Sequence, residues 1–338
     1  MVRRRRPADG PIARSPGSFS IGPAAVTPPL PPLSYAPLVT DYAADLASIA
    51  AARDRIAGRI HQTPALRCAA IDVLAGRRVH LKAEPLQRTG SFKMRGALNA
   101  VLCLPEDRAR EGVVTHSSGN FAQALALAAR ERGVPAHIVM PANAPRIKQE
   151  AVAGYGARIV LCEPTQAARE ATAAAVCAET GGTLLHPFDH RDVIAGQGTL
   201  GLELLEQVPG LSAVVAPVGG GGMVAGIALA LREAAPGVRV FAAEPLGADD
   251  AARSRIAGRR LPQTDPQTVA DGLRTGLGEL TWPVVRDVVR DVFLVSEAQI
   301  VAAMRLIWQR AKVVVEPSGA VALAAVLSER FVAMEGMQ

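Results

Sequence analysis

An α/β fold, parallel strands joined by crossover helices, is what this 338-residue sequence predicts, and three observations carry the prediction. From residue 41 onward, short apolar runs alternate with longer stretches of helical periodicity. Loops rich in Gly, Ser and Asn fall after apolar runs and before helical ones, where such folds bind their ligands. The composition is 49% hydrophobic but only 4% aromatic, with abundant Ala and Gly, which suits helices packed tightly against a sheet. This length and apolar content allow two domains, or one large domain with an insertion.

Residues 1–40 are rich in Pro, Arg, Ser and Gly, and are expected to be a disordered leader. Order is expected to begin at Asp41, where Leu46, Ile49, Ile56 and Ile60 follow helical spacing. A strand at 79–83 precedes a turn and a helix at 96–104. A strand at 112–115, a loop and an Ala-rich helix at 122–132 come next. Then follow a strand at 136–140, a helix at 146–155, a strand at 157–161 and a helix running to 180. Further on, the apolar strand 213–218, the helix 223–233 and the strand 239–243 repeat the alternation.

The formal charge is +6, but residues 1–40 alone carry five Arg against one Asp, a net +4. The remaining body, at +2, is too weakly basic for a nucleic-acid footprint. Cys68, Cys103, Cys162 and Cys177 form no close pair, which argues against structural disulfides or a zinc site and fits a reducing cytoplasm. The basic N-terminus is followed by no apolar core segment of a secretory signal, and no apolar run reaches membrane-spanning length.

Four loops carry candidate chemistry. Gly219-Gly220-Gly221-Gly222 lies between a strand and the helix from Met223, where backbone N–H groups and the helix N-terminus favour a phosphate. Gly220, Gly222 and Ala225 also fit a dinucleotide pattern, with Glu244 as the ribose-binding acid, so a nicotinamide dehydrogenase competes at this loop. His116-Ser117-Ser118-Gly119-Asn120 gathers hydroxyls, a carboxamide and N–H groups at a helix start, more than an ordinary N-cap requires. Lys93, between Phe92 and Met94, becomes a nucleophilic amine if buried; read locally, a solvated lysine explains it better. Glu244-Pro245-Leu246-Gly247-Ala248-Asp249-Asp250 suits a hard divalent cation, or simply a solvated acidic loop.

Together these segments resemble the serine racemase and threonine/serine dehydratase family of the tryptophan-synthase-β-like (type II) pyridoxal phosphate (PLP) fold. The resemblance covers about 41–331 and runs through Thr89-Gly90-Ser91-Phe92-Lys93-Met94-Arg95-Gly96-Ala97 and Thr115-His116-Ser117-Ser118-Gly119-Asn120. It continues through Val193-Ile194-Ala195-Gly196-Gln197-Gly198-Thr199, Pro217 to Met223, Glu244-Pro245 with Ala248-Asp249-Asp250, Val269-Ala270-Asp271-Gly272 and Glu316-Pro317-Ser318-Gly319-Ala320.

This resemblance implies two doubly wound α/β domains with the cofactor in the cleft between them. Residues 41–111 and 189–338 would form the large domain and 112–188 the small one. Lys93 would carry PLP as a Schiff base, Phe92 would pack beside its ring and Asn120 would bond its 3-hydroxyl. Gly219, Gly220, Gly221 and Gly222 with Met223 would hold the phosphate. Ser117, Ser118, Gly119 and Asn120 would grip the substrate carboxylate next to Phe121, and Ser118 is the second proton-transfer group in racemases of this kind. Glu244, Ala248 (through its carbonyl) and Asp250 match the divalent-metal ligands, for Mg or Ca.

The activity implied is dehydration and deamination of a threonine- or serine-like β-hydroxy amino acid to a 2-oxo acid and ammonia. The substrate takes the place of Lys93 on the aldehyde, and the freed amine then removes the α-proton. A less usual β-hydroxy substrate, such as one from hydroxyectoine breakdown, and racemisation are the alternatives, and a catalytically silent binding protein is a further one. A cytoplasmic homodimer is expected. Two departures from the family stand out. Phe121 replaces the usual His, which suggests a bulkier or less polar substrate. The sequence also ends at Gln338 without the Ser-Gly-Gly-Asn-like turn whose serine faces the pyridine nitrogen, from which weaker PLP binding is expected.

Overall fold

The structure is a computed structural model that describes residues 41–117 and 119–334. The leader expected over 1–40, Ser118 and residues 335–338 lie outside the described residues.

The first helix, α1 (Leu46–Ile56), starts where Asp45 accepts from the Ser48 N–H at 2.8 Å and Ser48 answers the Asp45 N–H, a reciprocal cap. It buries Ile49, Ala52 and Ile56, one stripe at helical spacing, while Ile60 falls beyond its end. Around α2 (Ala69–Ala75), β1 (Ala65–Arg67) and β2 (His80–Lys82) pair antiparallel, a departure from the parallel pairing that alternation predicts. Three-residue strands are too short for periodicity to reveal their partner.

Next come α3 (Lys93–Cys103) and α4 (Glu106–Arg110), leading into β3 (Val113–His116), α5 (Asn120–Arg132), β4 (Ala136–Pro141), α6 (Arg146–Gly154), β5 (Arg158–Cys162), α7 (Gln166–Thr180) and β6 (Thr183–Leu184). All four of these strands are parallel, in the order β5-β4-β3-β6. Neighbouring residues leave opposite faces of a strand. Val113, Ile138 and Met140 therefore enter a core with α3 and α5, while Val114 and Val139 meet Ala173 and Val176 of α7 on the other face. Two helical layers on one sheet follow directly.

The remainder is α8 (Arg191–Gln207), β7 (Ala213–Pro217), α9 (Gly222–Ala234), β8 (Arg239–Pro245), α10 (Asp250–Ala257), α11 (Trp282–Asp287), β9 (Val292–Val295), α12 (Glu297–Leu306), α13 (Pro317–Val326) and α14 (Glu329–Val332). The strands β7-β8-β9 form a second parallel sheet with the same logic. Val214, Ala216, Val240, Ala242 and Val292 pack with α9, whereas Phe241, Ala243, Phe293 and Val295 pack with α12 and α13.

Helix α8 is the hub between α3 and α9. A Cβ on Gly196 would lie 2.6 Å from the Arg95 carbonyl oxygen, and one on Gly226 would lie 2.4 Å from that of Ile194. Backbone therefore touches backbone, an approach that only glycine permits.

Candidate active site

A cleft of about 1630 Å³ gathers the loops at the carboxyl ends of β3 and β7 with the start of α3. Phe92, Lys93, Ser117, Gly119, Asn120, Phe121, Gly219, Gly220, Gly221, Gly222 and Met223, singled out from sequence, all line it. Glu244, Ala248 and Asp250 do not.

Lys93 is the first residue of α3, and it lines this cleft. Its Nζ donates to the Pro187 carbonyl at 2.9 Å and lies 5.1 Å and 5.8 Å from the ring centroids of Phe92 and Phe121. No carboxylate stands within ion-pair distance among the described residues. Burial pushes the amine down from 10.5 to about 8, with the charge of Glu316 opposing. The local expectation of a solvated lysine gives way. Phe121 is 1% exposed and packs in the core between α3 and α5, so it backs Lys93 and offers almost no surface to a larger substrate.

The glycine loop is packed on its far side. A Cβ on Gly220 would fall 2.2 Å from the Phe188 ring, and Gly221, at φ 87°, would bring one 2.8 Å from Thr281 Oγ1. That hydroxyl is buried, donates to the Gly220 carbonyl at 2.8 Å and accepts from the Gly278 N–H at 2.9 Å. The loop is thus held against its supports, its other side forming part of the cleft wall at the N-terminus of α9.

Phe188 belongs to a turn that residue-level reading passed over. His186 Nδ1 accepts from the Asp189 N–H at 2.9 Å, and burial pushes this imidazole down to about 4, helped by His116. Asp189 in turn accepts from the N–H groups of Glu279 and Leu280. The carbonyl that holds Lys93 and the ring beneath Gly220 are consecutive residues of this one turn.

Across the cleft, Asn120 Nδ2 donates to Glu316 Oε1 at 3.0 Å and Oε2 at 3.3 Å. Burial lifts the Glu316 carboxyl above its ordinary value, aided by Asp271 and opposed by Asn120, Lys148 and Lys93. Glu316 precedes α13 within a motif that carries the resemblance, but nothing local marks it as part of the site. Ser117 Oγ faces the Gly119 N–H at 3.4 Å.

Behind Lys93, Arg95 is fully buried and doubly bridged. Its Nε and Nη2 donate to Glu84 at 2.9 and 2.8 Å, and Nη1 and Nη2 donate to Glu203 at 2.6 and 2.9 Å. Lys82 Nζ closes the group on Glu203 at 2.6 Å.

In the acidic loop the Glu244 and Asp250 carboxylates are buried rather than solvated. Glu244 is 0% exposed, and its two oxygens accept from the N–H groups of Ala252 at 2.8 Å and Ala251 at 3.3 Å. It is far from free to bind a ribose in the cleft, so the nicotinamide reading loses its acid. Asp250, 1% exposed, accepts from the Leu277 N–H at 2.9 Å. Burial raises both carboxyls, Asp250 to about 6 and Glu244 well above its ordinary value. Among the described residues no three His, Cys, Asp or Glu side chains cluster for a metal. A cation here would therefore depend on these two carboxylates plus main-chain oxygens.

Residues 56–335 match the model of the family described as "Pyridoxal-phosphate dependent enzyme". The chain belongs to that family. Serine racemase of Arabidopsis thaliana is 50% identical over 290 residues, 86% of this chain and 88% of the relative. The structure of maize serine racemase superposes with TM-score 0.86 at 48% identity, covering 87% of this chain and 89% of that one. The structure of a threonine deaminase from T.th. superposes with TM-score 0.81 at 48% identity, over 85% of this chain and 94% of that one. The α/β fold is accordingly the type II fold of PLP enzymes.

The cleft fits the cofactor on its own chemistry. It offers a buried amine without an acid partner, a glycine cradle at a helix start, and the buried Ser91 hydroxyl, which has no partner among the described residues. No described helix is long and apolar enough to cross a membrane.

Proposed function

We propose that the chain racemises a small β-hydroxy amino acid of the serine type and eliminates water from it in a competing reaction. Sequence reasoning ranked dehydration first; the likeness to serine racemases over most of the chain favours racemisation, with elimination beside it. The observation that carries the site is Lys93, whose amine burial brings down to about 8 in a cleft that also contains the glycine loop and Asn120.

PLP, when bound, supplies the electron sink for the charge left on Cα after its proton is removed. The chain's residues do the rest. The N–H groups of Gly219 to Gly222 and the field of α9 would bind the phosphate, with Met223 alongside. Phe92 would flank the ring. Lys93 would bear the covalent link and, once displaced by substrate, take the α-proton from one face. Ser117, Gly119 and Asn120 would hold the carboxylate. Racemisation requires a second proton donor on the opposite face, the role that the resemblance gives to Ser118. Glu244, Asp250 and the Ala248 carbonyl would hold Mg or Ca, relieving the two buried carboxyls. Residues 112–188 as a small domain, a homodimer and a cytoplasmic setting belong to the same proposal.

The test is chiral analysis of L-serine incubated with the PLP-loaded protein, with ammonia release followed in parallel. D-serine and ammonia are both expected, and Lys93→Ala should abolish both together with the visible cofactor band. A full-strength band in Lys93→Ala, or neither product from the loaded protein, overturns the reading.

A further inference from the structure

Asn120 and Glu316 meet although they are 196 residues apart. Asn120 opens α5 on the four-stranded sheet, and Glu316 precedes α13 on the three-stranded one. A carboxylate can only accept, so the amide nitrogen of Asn120 must face it. Glu316 is itself seated. Ser318 Oγ, two residues on, accepts from the Gly272 N–H at 3.0 Å and fixes the start of α13 against the turn at Asp271–Leu273. From that turn Asp271 accepts from Lys148 Nζ of α6 at 3.0 Å, a second link between the same two sides. Both acids lie on one side and both donors on the other.

An amide nitrogen carries two hydrogens. With one directed at Glu316, the other can donate to a second acceptor in the cleft that Asn120 lines, and a bond to an anion there would strengthen the orientation.

We propose that Glu316 is a positioning residue, which fixes the Asn120 carboxamide so that its second N–H donates to the 3-hydroxyl oxygen of the cofactor and keeps that oxygen ionised. The proposal rests on the PLP reading of the cleft. The 3-hydroxyl proton would then reside on the nitrogen linked to Lys93, the form that absorbs at the longer visible wavelength. Without Glu316, Asn120 turns freely and the shorter-wavelength form gains.

The experiment compares the absorption spectra and PLP affinities of the loaded wild type, Glu316→Ala and Glu316→Gln. In Glu316→Ala the ratio of long- to short-wavelength absorbance should fall and PLP affinity should drop by about tenfold. Glu316→Gln, which keeps an acceptor oxygen, should restore most of both. In an Asn120→Ala background the Glu316→Ala change should vanish, because the group it positions is gone. An unchanged band ratio in Glu316→Ala, or effects that simply add in the double variant, overturns the proposal. If Glu316→Ala does not fold, Glu316→Gln decides alone: a spectrum as altered as that of Asn120→Ala refutes the positioning role, and one close to wild type upholds it. A wild type with no visible band refutes the PLP reading instead, so the two failures are told apart.

Discussion

Lys93 and Arg95 stand two residues apart on α3, both below the surface and both basic, yet their surroundings are opposite. Burial works against the charge of each. Around Arg95 the hydrogen bonds and charges of Glu84 and Glu203 outweigh it and hold the guanidinium firmly protonated. The same bonds pull Glu203 below its ordinary value against its own burial. Around Lys93 there are a peptide carbonyl and two aromatic rings, and the amine drops to about 8. Partners rather than depth decide what a buried cation is for. Arg95 fastens the helix; Lys93 is left reactive.

The strongest way to break this contrast is Arg95→Met. It leaves Glu84 and Glu203 buried with Lys82 as the remaining cation on Glu203 and the Thr63 hydroxyl on Glu84, so destabilisation of about 3–5 kcal/mol is expected in chemical denaturation. Stability equal to wild type would mean that the network is ornamental.

A smaller effect is expected from Gly220→Ala, which reaches Lys93 through the Pro187 carbonyl that accepts from it. The new methyl collides with Phe188, the residue after Pro187, and overpacking of about 1–3 kcal/mol must be relieved by moving that turn. PLP affinity by fluorescence titration should weaken by about tenfold. Unaltered affinity would detach the phosphate loop from the lysine's support.

The smallest effect has the opposite sign to the first. Lys93→Met should stabilise the cofactor-free protein by about 1 kcal/mol at pH 7, less than the shift alone implies because the amine faces a wet cleft. The wild-type penalty is full below about pH 8, where the folded amine must still take its proton. It is gone above 10.5, where both folded and unfolded states are neutral. Thermal melts of the two proteins should therefore converge between those values. Divergence over that range would place the cause elsewhere than in the charge.

The parts of the site that could be read from sequence are those written in one contiguous loop. Lys93, the four glycines and Ser117 to Asn120 sit at strand–helix junctions, where an α/β fold puts ligands, and ordered motifs then identified the family. The parts that could not be read are long-range. Phe188 reaches Gly220, Glu316 reaches Asn120, and Arg95 finds acids 11 and 108 residues away. A capping Glu or a turn His looks the same whether or not it faces a cleft. The elements follow the same division. The strands that were read agree within two residues, whereas β6, two residues long, and β1, three residues long, with its antiparallel pairing to β2, carry too little periodicity to announce themselves.

The glycine contacts of α8 have a last consequence, for how this protein can change. Side-chain interfaces drift easily, because a lost methylene here can be regained there. Where Gly196 meets the backbone of α3 and Gly226 meets that of α8, there is no side-chain volume to trade. The helix that presents Lys93 is therefore referenced to main chain, like a jig bolted to a bench. The loops above it can diverge toward new substrates while the position of the amine stays nearly invariant.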